Sequence, residues 1–370
     1  MSELEDLGLI SHFGDDATPR EPPPLKDLGI DRDILLRGYH EMRRLRAIDA
    51  RMIVLQRQGR VGFYGACTGQ EAVPIATGLA VQEGDWVFPA LREQSVMLVR
   101  GFPLVAFIAQ VFGNSGDVLK GRQMPSHHSG RSVNQVSWSS NIGPQVPQAV
   151  GCAMAMKLKG DKSVAIGFMG DGATSEADFH VAMRFAARYK APAVLVCQNN
   201  HWSISVPTRK QTISQTIAVK ARAYGIEGIR VDGNDLFSMV QIMRRALEKA
   251  RNGGGPTFIE ALTYRIGAHS TSDDPTRYRA DEEVERWKKK DPLDRLRNYL
   301  VREGLVTEAS DQKLDEAITK EISAAVNEVE AMPPPTRESL FEDVYRDLTP
   351  QLKLQQEELL RHPPAISPHG

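Results

Sequence analysis

Two short motifs in this chain carry residues that could hold a divalent cation: Gly170-Asp171-Gly172 and, about one βαβ unit further on, Asn199-Asn200. Each follows an apolar run, Ser163 to Met169 and Ala193 to Gln198, that reads as a buried strand. In a parallel sheet the tips of such strands lie side by side. The Asp171 carboxylate and the Asn200 amide oxygen would then converge beside a glycine-lined turn. Hard oxygen ligands in that position suit Mg²⁺, which favours octahedral oxygen coordination completed by phosphate and water. Gly170 and Gly172 would let the backbone approach a phosphate and adopt positive φ, and the following helix would aim N–H groups at the anion. A lone Gly-Asp-Gly is also an ordinary β-to-α turn; the Asn pair at the next strand end sets this one apart. The chain contains neither G-x-G-x-x-G nor G-x-x-x-x-G-K-[ST], so nicotinamide and P-loop nucleotide chemistry lose their main support.

The elements that must position these motifs follow from periodicity. Asp31 to Gln58 reads as a helix with Asp31 as N-cap, and Gln70 to Ala80 as another. Trp86-Val87-Phe88 reads as a short strand leading towards Arg92. Residues 113–145 form a long Gly-, Ser-, Asn-, Pro- and His-rich loop, a length that usually signals function. Helices are expected over Gln145–Lys159, Ser175–Tyr189, Ile217–Tyr224 and Leu236–Arg251, with strands at Ile229–Val231 and Thr257–Tyr264. This alternation predicts an α/β fold, a parallel sheet with helices on both faces and ligands bound outside the carboxyl ends of the strands. Three parts are expected: an extended arm over 1–30 that orders against a partner, an α/β domain over 31–290, and a helical C-terminal extension over 291–370.

The 370 residues are 41% hydrophobic and 25% charged, with a net charge of -1. That balance gives no reason to expect nucleic-acid or membrane binding. Three cysteines without CxxC spacing argue against a disulfide framework or zinc site and for a reducing, cytoplasmic setting. The acidic N-terminus, with Glu3, Glu5, Asp6, Asp15 and Asp16, differs from a basic targeting signal.

The paired motifs resemble the thiamine diphosphate signature. Lys120 to Pro125, Gln145 to Gly151, Gly170 to Glu176 and Tyr264 to Asp274 extend the likeness over almost the whole chain. They resemble the α subunit of the E1 component of 2-oxo acid dehydrogenase complexes, most closely the branched-chain type. The resemblance implies a transketolase-like, thiamine diphosphate-binding fold. It implies Mg²⁺ held by Asp171, Asn200 and the Trp202 main-chain carbonyl, where the family commonly has Tyr at 202. It further implies that Arg92 binds diphosphate and Ser140 the aminopyrimidine, while Ile142 wedges the cofactor into its bent form. His269 would lie near the diphosphate and serve acyl transfer, work that suits imidazole. Gln198 stands where some relatives carry an Arg that contacts the diphosphate, and Leu91 where an aromatic is frequent; Pro144 stands where Thr is common, so the monovalent-cation site of some relatives is left open here. His127 and His128 read as loop residues near the substrate channel.

Nothing here resembles the half of such enzymes that supplies a glutamate to the cofactor's pyrimidine. The resemblance therefore implies a separate E1 β subunit in an α2β2 heterotetramer, and a lipoyl-bearing E2 that takes the acyl group from a small 2-oxo acid. Pyruvate or acetoin dehydrogenase α subunits, and a non-catalytic assembly subunit, remain open. Ser270 matches a serine that mitochondrial relatives present to a kinase, and Ala280 occupies a second such position; no kinase control is expected.

Overall fold

The computed structural model describes residues 8–363. Its main sheet has five strands, all parallel: β1 (Trp86–Phe88), β2 (Ala165–Gly170), β3 (Ala193–Asn199), β6 (Glu227–Asp232) and β7 (Thr257–Leu262), in the order β1-β2-β3-β7-β6. A small antiparallel hairpin, β4 (Trp202–Ser203) with β5 (Val206–Pro207), stands at the end of β3.

Strands β2 and β3 are buried on both faces, which is why they read as unbroken apolar runs. Alternate residues serve two cores. Ile166, Phe168, Val194 and Val196 face helices Ala72–Ala80 and Leu236–Arg251. Ala165, Met169, Leu195 and Cys197 face helices Gln145–Leu158 and Ala177–Tyr189. A third core lies away from the sheet, where Ile48, Met52 and Leu55 of helix Arg32–Arg57 meet Phe107 and Ile108 and, from helix Glu308–Glu330, Ile322 and Val326. Leu296 and Leu300 enter the first core. The segment read as a C-terminal extension thus contributes side chains to the interior.

Residues 1–7 of the expected arm lie outside the described residues. From there the arm lies on its own sheet, which corrects the expectation that it orders only against a partner. Ile10 adds a parallel bridge to edge strand β6: its N–H donates to Arg230 O (3.0 Å) and its carbonyl accepts from Asp232 N (2.9 Å). Phe13 stacks on Phe237 at 5.9 Å. The physical reason is the open edge of β6, whose backbone groups bind any extended chain offered to them.

Helices Gln94–Val99 and Leu104–Phe112 have no counterpart in the sequence reading. They are buried nearly all round, so no polar stripe marks their period. Phe13→Ala should lower the unfolding free energy by about 1–3 kcal/mol. It should also speed hydrogen exchange at the Asp232 amide; unchanged exchange there would mean that the arm does not seal this edge.

Candidate active site

A cavity of about 360 Å³ opens at the carboxyl ends of β2 and β3, lined by residues from every segment singled out in the sequence. The β2–β3 register sets Gly170 opposite Gln198. Asp171 and Asn200 therefore leave adjacent strand tips and border the same space.

Asp171 is 2% exposed. Its Oδ2 accepts from Thr208 Oγ1 (2.6 Å) and Gln211 Nε2 (3.2 Å). Burial pushes its carboxyl up, opposed by the Thr208 bond and by Arg265. It makes no salt bridge with a described residue, and a buried carboxylate in that state favours a cation beside it. Asn200 donates from Nδ2 to Gln70 Oε1 (3.0 Å), which orients its amide; Oδ1 accepts from Trp202 N (3.1 Å) and has a second lone pair free for a cation. The Trp202 carbonyl is approached by Arg265 Nη1 at 3.5 Å, the outer limit of bonding.

The glycines act differently from expectation. Neither Gly170 nor Gly172 has positive φ. A Cβ on Gly170 would meet nothing within 4 Å, whereas one on Gly172 would lie 2.2 Å from Ser203 Oγ. Gly172 is required by the close approach of the hairpin, and Gly170 keeps the cavity wall open. The helix expected to aim N–H groups at an anion begins only at Ala177, after a 3₁₀ turn over Gly172–Ser175. The turn, not the helix, borders the cavity.

Two guanidinium groups complete the polar wall. Arg92 is 4% exposed and Arg265 1%. Arg92 donates to the carbonyls of Ala66 and His269, the latter at 2.7 Å. Arg265 donates to Ile204 O (2.7 Å) and Tyr278 Oη (2.8 Å), and its Nε has no described partner. Neither makes a salt bridge among the described residues. Burial, and then the proximity of Arg265, lowers Arg92 to about 10. Two buried cations without a carboxylate partner make an anion site.

His269 lines the cavity, its amide donating to Asp273 Oδ2 (2.7 Å). Burial, then Arg92 and Arg265, lowers it to about 4, leaving a neutral imidazole near pH 7. Ser140 and Ile142 lie at the rim, Ile142 51% exposed. Ser140 Oγ is hydrogen-bonded to His127 Nε2, and His127 stacks on Trp138 at 4.6 Å. His128 instead turns inward against Phe107, with ring centroids 4.0 Å apart.

Sequence reasoning gave no role to Gln70, Glu93, Thr208 or Arg265. Arg265 had a legible signal, since it follows the tip of β7. Glu93 did not. Its carboxylate accepts from Ala90 N (2.7 Å), Arg92 N (3.2 Å) and Gln198 Nε2, bracing the loop that carries Arg92. Among the described residues no cluster of three or more His, Cys, Asp or Glu side chains could hold a metal. A cation here would depend on the mixed set of carboxylate, amide and carbonyl oxygens. The unmatched Asp171 carboxyl, the two unpaired guanidinium groups and the open wall at Gly170 fit a metal–diphosphate cofactor.

The family model for the dehydrogenase E1 component matches residues 39–338. The chain belongs to the dehydrogenase E1 component family. It is 42% identical over 333 residues to 2-oxoisovalerate dehydrogenase subunit alpha 2, mitochondrial, of Arabidopsis thaliana, covering 90% of this chain and 70% of that protein. It is 39% identical over 340 residues to 2-oxoisovalerate dehydrogenase subunit alpha of Pseudomonas aeruginosa, covering 89% and 82%. The corresponding mitochondrial subunit of Homo sapiens is 39% identical over 340 residues, covering 92% and 76%. E1 family membership implies thiamine diphosphate as cofactor and a role beside a β subunit and an E2. No helix among the described residues is long and apolar enough to cross a membrane.

Burial holds His128 at about 3 and His201 at about 4, so these rings, like that of His269, enter the fold neutral. Unfolded, each takes up a proton near pH 6.5, so each withdraws stability as pH falls from about 6.5 towards 4. Asp49 and Glu93, pushed up to about 7 by burial, act in the opposite sense over the same range. The stability of His128→Phe relative to the unsubstituted protein should therefore rise as pH drops from 6.5 to 4.5. Urea unfolding at the two pH values checks this, and a constant difference would show His128 to be accessible to protons.

Proposed function

We propose that this chain is the α subunit of a branched-chain 2-oxo acid dehydrogenase E1. It would bind Mg²⁺–thiamine diphosphate in the cavity described, decarboxylate 3-methyl-2-oxobutanoate and its homologues together with a β subunit in an α2β2 heterotetramer, and pass the acyl group to the lipoyl arm of an E2. The observation that carries this reading is charge complementarity. An unmatched buried carboxyl at Asp171 and two unpaired buried guanidinium groups at Arg92 and Arg265 face one space. The substrate class is supported by the names of relatives about 40% identical over some nine-tenths of the chain. Three free cysteines, two of them buried, support a reducing cytoplasm.

Asp171, Asn200 and the Trp202 carbonyl would hold the cation, with Gln70 orienting the Asn200 amide and Thr208 the Asp171 carboxylate. Arg92 and Arg265 would take phosphate oxygens; the planar fork of an arginine can bind two at once. Gly170 would leave backbone, not side chain, facing the diphosphate, while Gly172 admits the hairpin at Ser203. Bound thiamine diphosphate supplies the thiazolium carbon at which 2-oxo acids lose carbon dioxide. Ser140 at the rim would hydrogen-bond the aminopyrimidine end, and Ile142 would press between the rings from the open side. His269, neutral and beside the guanidinium pair, can donate a hydrogen bond to an anionic oxygen or accept a proton during acyl transfer. Apolar Phe63, Met124 and Trp138 line the cavity wall.

Asp171→Ala should remove Mg²⁺-dependent binding of thiamine diphosphate, a loss beyond the roughly 10–100-fold typical of changes behind the ligands. Calorimetry on the assembled α–β protein measures it, and unchanged affinity would refute the metal assignment. His269→Ala should leave cofactor affinity nearly intact yet slow acyl transfer to lipoyl groups by about 10²–10⁴-fold. Normal flux would remove its role. Steady-state rates with pyruvate, 3-methyl-2-oxobutanoate and 4-methyl-2-oxopentanoate should favour the branched acids; a preference for pyruvate would transfer the chain to the pyruvate class. No decarboxylation of any of them by the α–β assembly would leave the assembly-subunit reading.

A further inference from the structure

The turn that follows β3 is bent against the preference of its own residues. His201 (φ 69°) and Ile204 (φ 52°) both lie in the left-handed region, and neither is glycine. Such residues cost about 1–2 kcal/mol each and persist only where the surroundings hold them. Arg265 holds the Ile204 carbonyl, and further contacts come from a helix outside the cavity, Asp281–Lys288, which has no fully buried residue of its own. Two of its side chains, Glu283 and Trp287, stand one helical turn apart on one face. Both reach this turn.

Glu283 Oε1 accepts from the Trp202 indole Nε1–H at 2.9 Å and from the Tyr264 hydroxyl at 2.9 Å. One carboxylate oxygen thus joins the turn after β3, the segment after β7 and the helix. The Trp287 ring lies 5.0 Å from the His201 ring and stacks on Tyr264 at 5.2 Å with an interplanar angle of 5°. Both donors to Glu283 are neutral, and it makes no salt bridge among the described residues. Its contribution therefore comes from a fixed acceptor oxygen rather than from charge pairing.

We propose that Glu283 is a positioning residue for the cation site: by holding the Trp202 indole it fixes the turn from which the Trp202 carbonyl would join Asp171 and Asn200 at the cavity. The inference rests on the cofactor reading above and adds a residue that lies behind the ligands and outside the cavity lining. It also gives the tryptophan at 202 a purpose beyond its carbonyl. The indole N–H is the donor through which the helix acts.

The test uses the full-length chain assembled with its β partner, titrated with thiamine diphosphate at a series of MgCl2 concentrations, with Tm recorded alongside. Glu283→Ala should raise the magnesium needed for half-maximal cofactor binding by about 10–100-fold. Glu283→Gln keeps an acceptor oxygen and should stay close to the unsubstituted protein. Trp202→Phe, which keeps the carbonyl and loses the donor, should reproduce the alanine effect. The double variant should lose no more than the worse single, because the two share one interaction. Should Glu283→Ala fail to assemble, the contrast between Trp202→Phe and Glu283→Gln carries the same test. Unchanged magnesium dependence in Glu283→Ala, a fall in Tm alone, a Gln variant as damaged as the Ala variant, or losses that multiply in the double variant would each overturn the proposal. If the unsubstituted assembly bound thiamine diphosphate without regard to magnesium, the cofactor reading itself would fall first, before any variant is compared.

Discussion

Parallel pairing of β2 with β3 is the constraint on which the rest of this molecule depends. With Gly170 opposite Gln198, the chain leaves both strands at the same height and on the same edge of the sheet. Asp171 and Asn200 then border one cavity although they lie 29 positions apart in sequence. A slip of one residue would turn every side chain of a strand to the other face. Here both faces are apolar, so alternation alone cannot set the register. Local fit contributes: Gly167 lies beneath helix Gln145–Leu158, where a Cβ would come to 3.0 Å from Ala149 Cβ.

The second constraint is electrostatic. Burying Arg92, Arg265 and Asp171 without direct ion pairs costs stability, because each loses water and gains only partial compensation from carbonyls and hydroxyls. The fold tolerates this by supplying dipoles. Arg92 is met by the carbonyls of Ala66 and His269, and Arg265 by Ile204 O and the Tyr278 hydroxyl. Asp171 is met by Thr208 and Gln211. Charges held by neutral dipoles remain available to a ligand of opposite sign. Glu93, the acidic side chain beside Arg92, is occupied by two backbone amides and by Gln198 rather than by the guanidinium. Gln198 thereby occupies Glu93 Oε1.

The segment after β7 joins the site to the surface. Arg265 follows the strand, His269 lies on the loop beyond, and Tyr278 and Arg279 return the chain to the sheet. Arg279 donates to the carbonyls of Arg265 and Ile266, while Tyr278 donates to Asp273 Oδ2 at 2.5 Å. The loop is thus tied at both ends to the residue that faces the anion site. Stability need not be uniform across such an arrangement, and segments held mainly by polar contacts at the surface open more readily than the strands beneath them.

Local pattern carried much of this protein into view. The apolar runs of β2 and β3, the helices over 32–57, 145–158, 177–189 and 236–251, and the motif residues at the strand tips were legible because each depends on near neighbours in sequence. The amphipathic period of helix 236–251 and the Gly-Asp-Gly turn are of this kind. Tertiary structure alone decided the rest. Helices 94–99 and 104–112 lack a polar stripe because they are enclosed, and enclosure is a property of the whole fold. The arm lies on β6 because that strand falls at the sheet edge, which the strand order determines. The need for glycine at 172 comes from Ser203, and the role of Glu283 from Trp202 and Tyr264, partners far away along the chain. The sequence determined which groups could do the chemistry. Their lack of internal charge partners, which leaves them free to bind a ligand, is set by distances between segments and could be read only from the folded chain.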